Sequence, residues 1–145
     1  MRQPWNVFVY LFREIDSGYQ FLLLKRRDSG VWQGIAGGGE ANETLIEAAI
    51  RETNEEAGIV SRIDLLNLDT RSYIQKTIFE DYEKWGENVF VVPLHYYAAE
   101  YNGVITISDE HTEYGWFDYN EAMDKLYWHD NKTALWELNK RINNR

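Results

Sequence analysis

Residues 37–59 read GGGEANETLIEAAIRETNEEAGI, and their spacing decides how the chain is read. Gly37, Glu43, Arg51, Glu52, Glu55, Glu56, Gly58 and Ile59 fall in the pattern G-x5-E-x7-R-E-x-x-E-E-x-G-[aliphatic]. Seven charged or glycine positions at fixed spacing do not arise by accident at average residue usage. The chance is on the order of 10⁻⁸ per window. Three of the carboxylates lie within five residues, a density of negative charge that works against stability unless a cation is present.

Local signals turn the stretch into a helix. Thr44 is a good N-cap, and Glu47 three residues later completes a capping box. A helix is predicted from about Leu45 to Ala57, with Gly58 as the left-handed residue past its end. Asn42 is the commonest substitute for glycine where the backbone wants positive φ. Ile46, Ala49, Ile50, Thr53 and Ala57 recur at helical spacing and form the predicted core stripe. Glu52, Glu55 and Glu56 share an arc of roughly 100° away from that stripe.

Outward from the helix, Trp5 to Phe12 and Tyr19 to Lys25 read as a strand hairpin turned at Asp16-Ser17-Gly18. Ile35 to Glu40 is glycine-rich and reads as irregular. Ile63 to Leu68 and Arg71 to Ile74 read as two strands with a turn between, and Phe79 to Asn88 as a loop. Val89 to Tyr97 is the strongest strand, with Pro93 suggesting an edge or bulge. Val104 to Ile107 and Glu113 to Phe117 read as short strands. Asn120 to Leu126 and Thr133 to Ile142 read as helices, with Asp130 or Asn131 near the second N-cap. The expectation is one α+β or α/β domain over residues 1–145.

Composition bounds the function. The net charge of −9 makes a nucleic-acid polymer a poor partner. It leaves room for a phosphorylated small molecule whose contact is mediated by a divalent metal. The chain has no cysteine, hence no disulfide framework and no thiolate chemistry. No membrane-length apolar run and no secretory leader are legible, so a cytoplasmic protein is expected.

Two readings of the acidic cluster compete. A solvated helix face is one, but a helix built only for stability would interleave lysines, and none occurs between Gly37 and Ile59. The other is a platform for Mg²⁺, a hard ion held by a few carboxylates plus phosphates and water. Such an ion neutralises phosphate charge and lowers the pKa of a bound water, which points to water attack on a diphosphate linkage. Arg51 is read as the ion-pair partner of Glu43, with phosphate contact as the alternative. Glu40 is an extra metal ligand or a solvated residue.

The stretch Gly37 to Ile59 resembles the Nudix box of the Nudix (MutT-like) hydrolases, a highly specific motif. The resemblance implies an α/β/α sandwich around a mixed sheet, with Mg²⁺ or Mn²⁺ as cofactor. It implies that Glu52, Glu55 and Glu56 bind metal, joined by the Gly37 carbonyl, and that one glutamate acts as base. It implies a structural ion pair between Glu43 and Arg51. The sequence departs from the pattern at Thr53 (usually aliphatic), at Ile35-Ala36-Gly37 (usually Pro-Gly-Gly) and at Asn42 (usually Gly). None of these removes a carboxylate.

A looser likeness covers most of the chain. Leu24-Lys25-Arg26-Arg27-Asp28, Val31-Trp32-Gln33 and Glu110-His111 followed by Tyr114 and Trp116 are similar to the dihydroneopterin triphosphate diphosphatase branch. By that likeness Glu110 is the candidate distal metal ligand or general base, with Glu113 behind it. Catalytic candidates are therefore Glu52, Glu55 and Glu110. Arg26 and Arg27 are candidate phosphate contacts, or solvated charges at a strand end. Trp32, Phe79, Tyr82 and Tyr114 are candidates for stacking on a heterocycle, or for packing. His111 is read as structural.

The expected activity is metal-dependent hydrolysis of a nucleoside or pterin triphosphate to the monophosphate and diphosphate by a monomer or homodimer. Dinucleoside polyphosphates and nucleotide sugars are the alternative substrates. A non-catalytic nucleotide sensor is the alternative of another class. A Nudix-fold isomerase is disfavoured because there is no cysteine nucleophile.

Overall fold

The computed structural model describes residues 1–144. It opens on the hairpin β1 (Arg2–Ile15) and β2 (Gly18–Arg26), which pair from Ile15↔Gly18 to Phe12↔Phe21 and then diverge. The chain returns into the gap. β3 (Trp32–Gln33) pairs with the end of β2, and β4 (Ile35–Glu40) runs antiparallel to the first half of β1. Residues 35–40 are thus a strand where irregular chain was expected. Glycines carry no hydrophobic period, so the strand is specified by its ladder with β1 and not by its own sequence.

α1 (Leu45–Ala57) follows, then β5 (Leu66–Gln75), two 3₁₀ turns (Lys76–Ile78 and Tyr82–Trp85) and β6 (Val91–Glu100). β6 lies between β1, to which it is parallel, and β5, to which it is antiparallel. β7 (His111–Phe117) pairs with the outer side of β2, and α2 (Tyr119–Lys125) and α3 (His129–Asn143) close the chain. Among the described residues the strands form one seven-stranded mixed sheet.

Alternation along β1 explains the layering. Val7, Val9 and Leu11 face α1, whereas Phe8, Tyr10 and Phe12 face α2 and α3. Both faces of one strand are buried, so the sheet is covered on both sides, as the α/β/α expectation required.

Several local expectations are corrected. β5 is one strand carrying a bulge between Asn67 and Arg71, not two strands. The N–H groups of Asp69 and Thr70 donate instead to the Glu137 carboxylate of α3, at 2.6 and 2.8 Å. Pro93 lies in an interior strand, but pairing with β1 begins only at Asn6↔Leu94, so β5 alone flanks it. Residues 104–107 form no strand. Ile105 packs under α1, and the Thr106 N–H donates to the Ala57 carbonyl at 2.9 Å, satisfying an open helix end. Trp128, not Asp130 or Asn131, caps α3. Asn131 is buried one turn in, where its carbonyl oxygens accept from the hydroxyls of Tyr10 (2.8 Å) and Tyr96 (2.9 Å).

α1 has the predicted bounds, the predicted Thr44–Glu47 capping box, and Gly58 at φ 71° past its end. Asn42 takes φ 68°, the backbone that its usual glycine would adopt. The buried face of α1 is turned from the predicted stripe: Ala49, Thr53 and Ala57 are buried as expected, but the two isoleucines are not. Ile46 and Ile50 are 44% and 46% exposed, and the core contacts come from Ala48, Ala49, Thr53 and Ala57. Small residues let the helix approach the sheet closely, and that rotation carries Glu52 and Glu56 inward. The Thr53 hydroxyl donates to the Ala49 carbonyl at 2.7 Å, so the polar residue at the usually aliphatic position is satisfied.

Candidate active site

A cleft of about 740 Å³ opens along the free edge of β4. α1 lines it with Glu52, Glu55 and Glu56, and β4 with Ala36, Gly37 and Gly38. Ser108, Asp109 and Glu110 form the wall before β7. Arg2, Asn6, Arg26, Phe79 and Glu80 complete the lining.

Arg51 organises the acidic face. Its Nε and Nη2 donate to both oxygens of Glu43 at 2.7 and 2.9 Å, and Nη2 also reaches the Gly38 carbonyl at 2.8 Å. Its Nη1 donates to Glu52 at 2.9 Å and to Glu55 at 3.3 Å. One planar guanidinium therefore ties the loop before α1, the β4 edge and two glutamates together. The hydrogen bond from Arg51 holds the Glu43 carboxyl below its ordinary range.

Glu52 and Glu56 are buried, 9% and 3% exposed, although their arc was read as lying away from the core stripe. Burial pushes both carboxyls up. Glu56 rises further because it shares a hydrogen bond with Glu52 and sits beside its charge. Glu56 also accepts from the Ala36 N–H at 3.4 Å and has His111 Nε2 at 3.6 Å. Burial holds the His111 imidazole below its usual pKa, so it faces Glu56 as a neutral ring near neutral pH.

The donor set suits a hard divalent cation. It is made only of carboxylate and backbone oxygens, and burial disfavours the charged form of both Glu52 and Glu56, a cost that a cation would relieve. Among the described residues no three acidic, histidine or cysteine side chains yet converge on one point. Glu55 is drawn aside by Arg51 and its side chain is 56% exposed. Of the β4 backbone, Ala36 and Gly38 meet the side chains of α1. In an antiparallel ladder a residue sends its N–H and C=O to the same side. The Ala36 N–H meets Glu56 and the Gly38 C=O meets Arg51, so this parity faces the cleft and the Gly37 carbonyl turns toward β1.

Gly37 has a different use. A Cβ there would lie 2.1 Å from Glu52 Cδ. Gly37→Ala is expected to displace the Glu52 carboxylate while sparing the fold, because a side-chain end can move. A misplacement near 1 Å costs about 10²-fold in kcat/KM. Kinetics alongside thermal melting check this; full activity with a normal melt would contradict it.

The other candidates divide. Arg26 lines the cleft but is held by both oxygens of Asp28, at 3.0 and 2.8 Å. Arg27 donates to the Asp109 carbonyl at 2.8 Å and lines a smaller adjoining hollow with Glu110. Phe79 lines the cleft, its ring covered by Arg2 at 4.5 Å. Glu110 lines the cleft, and its charge acts on Glu56. Trp32 does not reach the cleft: it stands edge-on to Phe117 at 5.5 Å, beneath Lys125. Tyr114 lies opposite Leu24 on β7, outside the lining. Glu113 pairs with Lys25 at 3.4 Å, and Glu40 with the terminal amine at 3.5 Å. Arg2, Asn6, Ser108 and Asp109 were not legible as site residues. They belong to no spaced motif, and only the β1–β4 pairing and the loop before β7 bring them here.

Residues 2–136 match the NUDIX domain family. The crystal structure of a candidate NUDIX hydrolase from Listeria monocytogenes str. 4b F2365 superposes with a TM-score of 0.88 at 37% identity, covering 98% of this chain and 96% of that one. The bis(5′-nucleosyl)-tetraphosphatase [asymmetrical] of Sus scrofa is 31% identical over 84% of this chain and 80% of its own length. The dihydroneopterin triphosphate diphosphatase of Haemophilus influenzae is 25% identical over 90% of this chain and 84% of its own.

Proposed function

The chain belongs to the NUDIX domain family, and on that premise we propose that it is a divalent-metal-dependent diphosphatase. It is a hydrolase of phosphoric anhydride bonds, and its substrate in this reading is a nucleoside or pterin triphosphate, cleaved to the monophosphate and diphosphate. The observation that carries the reading is the complete carboxylate set, Glu52, Glu55, Glu56 and Glu110, around one cleft braced by Arg51 and Glu43.

Glu52, Glu55 and Glu56, with the Ala36 carbonyl, would hold Mg²⁺ or Mn²⁺. Such a cation neutralises phosphate charge and acidifies a bound water. Glu56 would bind such a cation as the anion, so its proton would have to leave for it to serve as a ligand. Arg51 fixes Glu52 through a 2.9 Å hydrogen bond and also contacts Glu55 at 3.3 Å, a contact that Glu55 would have to loosen to join the site. In the reaction water adds to a phosphorus of the anhydride, the bridging P–O bond breaks, and diphosphate leaves. The proton of the attacking water would pass to a carboxylate, for which Glu110 and Glu55 are the candidates in this reading. Arg26, now paired with Asp28, is the candidate phosphate contact in this reading, since a guanidinium fork binds phosphate as well as carboxylate oxygens in pairs.

A second reading, hydrolysis of a dinucleoside polyphosphate, is favoured by the 31% identity to the Sus scrofa tetraphosphatase. One panel separates the two. Nucleoside triphosphates, dihydroneopterin triphosphate, diadenosine tetraphosphate and ADP-ribose are incubated with Mg²⁺ or Mn²⁺, the nucleotide products are resolved by chromatography, and diphosphate release is followed in parallel. Diphosphate release from a triphosphate is the expected result. Turnover of the tetraphosphate alone selects the second reading. Tight nucleotide binding with no turnover of any substrate overturns both in favour of a sensor module.

A further inference from the structure

We infer that Arg2, seated on Gly38 and Phe79, forms a separate anion-binding subsite that holds a phosphate of the substrate away from the carboxylate platform. The inference deepens the proposed function and rests on its polyphosphate substrate. It starts from the two faces of β4. A Cβ at Gly37 would meet Glu52, and a Cβ at Gly38 would meet the Arg2 guanidinium, 2.4 Å from its Cζ. Consecutive strand residues face opposite sides and rise about 3.4 Å. The acidic platform and Arg2 therefore flank the same bare strand edge, one residue apart. Both line the same cleft.

Arg2 is held in place but not neutralised. Trp85 Nε1 donates to its carbonyl at 2.8 Å, tying the 82–85 turn to β1. Its guanidinium lies over Phe79 at 4.5 Å, with Trp85 at 5.5 Å. It donates to the Asn6 side chain and, at 3.1 Å, to the Gln3 carbonyl. A guanidinium has five N–H donors, so most of the fork is left for a ligand. Among the described residues Arg2 forms no ion pair, whereas Arg26 is paired to Asp28 and Arg51 to Glu43. Burial lowers its pKa despite the charges of Glu40, Asp81 and Glu52, as expected of a partly desolvated cation short of a direct counter-charge.

The ligand class follows from this geometry. A flat, stacked, preorganised fork matches two phosphate oxygens. The ladder parity that sends the Gly38 carbonyl to Arg51 also turns the Gly38 N–H along the same edge, a second donor beside Arg2. Phe79 thus serves as the support of a cation on the face where a heterocycle was expected.

The experiment measures binding apart from turnover. Inorganic triphosphate with Ca²⁺, and Ca²⁺ alone, are titrated calorimetrically into wild type, Arg2→Ala, Arg2→Gln and Arg2→Lys. ATP and GTP hydrolysis with Mg²⁺ is measured in parallel. Loss of a charge-assisted contact should weaken triphosphate by about 10–100-fold in the Ala and Gln variants. Lys should recover only part, since it keeps the charge and loses the fork. Ca²⁺ affinity should not change, and KM should rise more than kcat falls. Unchanged triphosphate affinity in any folded Ala or Gln variant overturns the subsite. So does an equal loss of Ca²⁺ affinity, which would mean that the platform has been disturbed. A loss confined to ATP and GTP, with inorganic triphosphate unaffected, also overturns it by assigning Arg2 to the heterocycle. A wild type that binds triphosphate through Arg2 yet hydrolyses no anhydride overturns the proposed function and leaves the subsite standing.

Discussion

Glu56→Gln and Glu55→Gln are each expected to lower kcat by roughly 10²–10⁴-fold while the protein stays folded. The two substitutions act differently. Glu56 is 3% exposed, and burial keeps its carboxyl protonated in the metal-free chain. A carboxamide matches that protonated group in volume and keeps an oxygen for the Ala36 N–H, now 3.4 Å away. What it cannot provide is an anion for the cation. Glu55 is mostly exposed and touches Arg51 at 3.3 Å. Its replacement should cost no more than about 0.5 kcal/mol of stability, as at ordinary surface sites. The check is kcat with Mg²⁺ on the best substrate of the panel, alongside thermal melting. Wild-type turnover in either folded variant would remove that glutamate from the metal site.

Without divalent metal, the wild-type chain is expected to lose stability steadily as pH rises through the neutral range. Burial, then the hydrogen bond and charge of Glu52, lift the Glu56 carboxyl to about 10 from an ordinary value of 4.5. Between those values the folded chain holds a proton that the unfolded chain has released. Stability is therefore fully present at low pH and declines toward pH 10, by at most about 1.4 kcal/mol per pH unit for one proton. His95 and His111 act in the opposite sense. Burial depresses both, so they favour the fold as pH rises toward 6.5 and contribute no slope above it. The Glu56 slope is clearest above pH 7. Urea denaturation in EDTA across pH 7–9 measures it, and Glu56→Gln should flatten it. Mg²⁺ should reverse it, since the cation takes only the deprotonated site and binds better as pH rises. A flat wild-type profile in EDTA would refute the buried-proton account.

The acidic helix was legible because its signals are local. The Thr44–Glu47 box and Gly58 act within one turn of chain and set the ends of α1 at Leu45 and Ala57. The Glu43–Arg51 pair spans eight residues of the same segment, and its 2.7 Å hydrogen bond needs only that helix and its leading loop. The layering was nearly as plain, because β1 alternates two apolar sets that both need cover. Trp32 was not separable by sequence, because an aromatic near a motif looks the same whether it meets a ligand or stands edge-on to Phe117.

By itself, then, the sequence determined the capped helix, the carboxylates it carries, the brace on them and the family to which the chain belongs. Tertiary structure decided which way that helix turns. Ala48, Ala49, Thr53 and Ala57 pack closer to the sheet than Ile46 and Ile50 could, and this buries Glu52 and Glu56 beside β4. It also decided what stands opposite them. Arg2 is 50 residues before Glu52 in the chain, and no period or spacing links the two. They share a cleft because β4 pairs with β1 and its glycines leave both sides of the strand open to a neighbouring side chain. Backbone hydrogen bonds between distant segments made that juxtaposition, and a one-dimensional pattern carries no record of them.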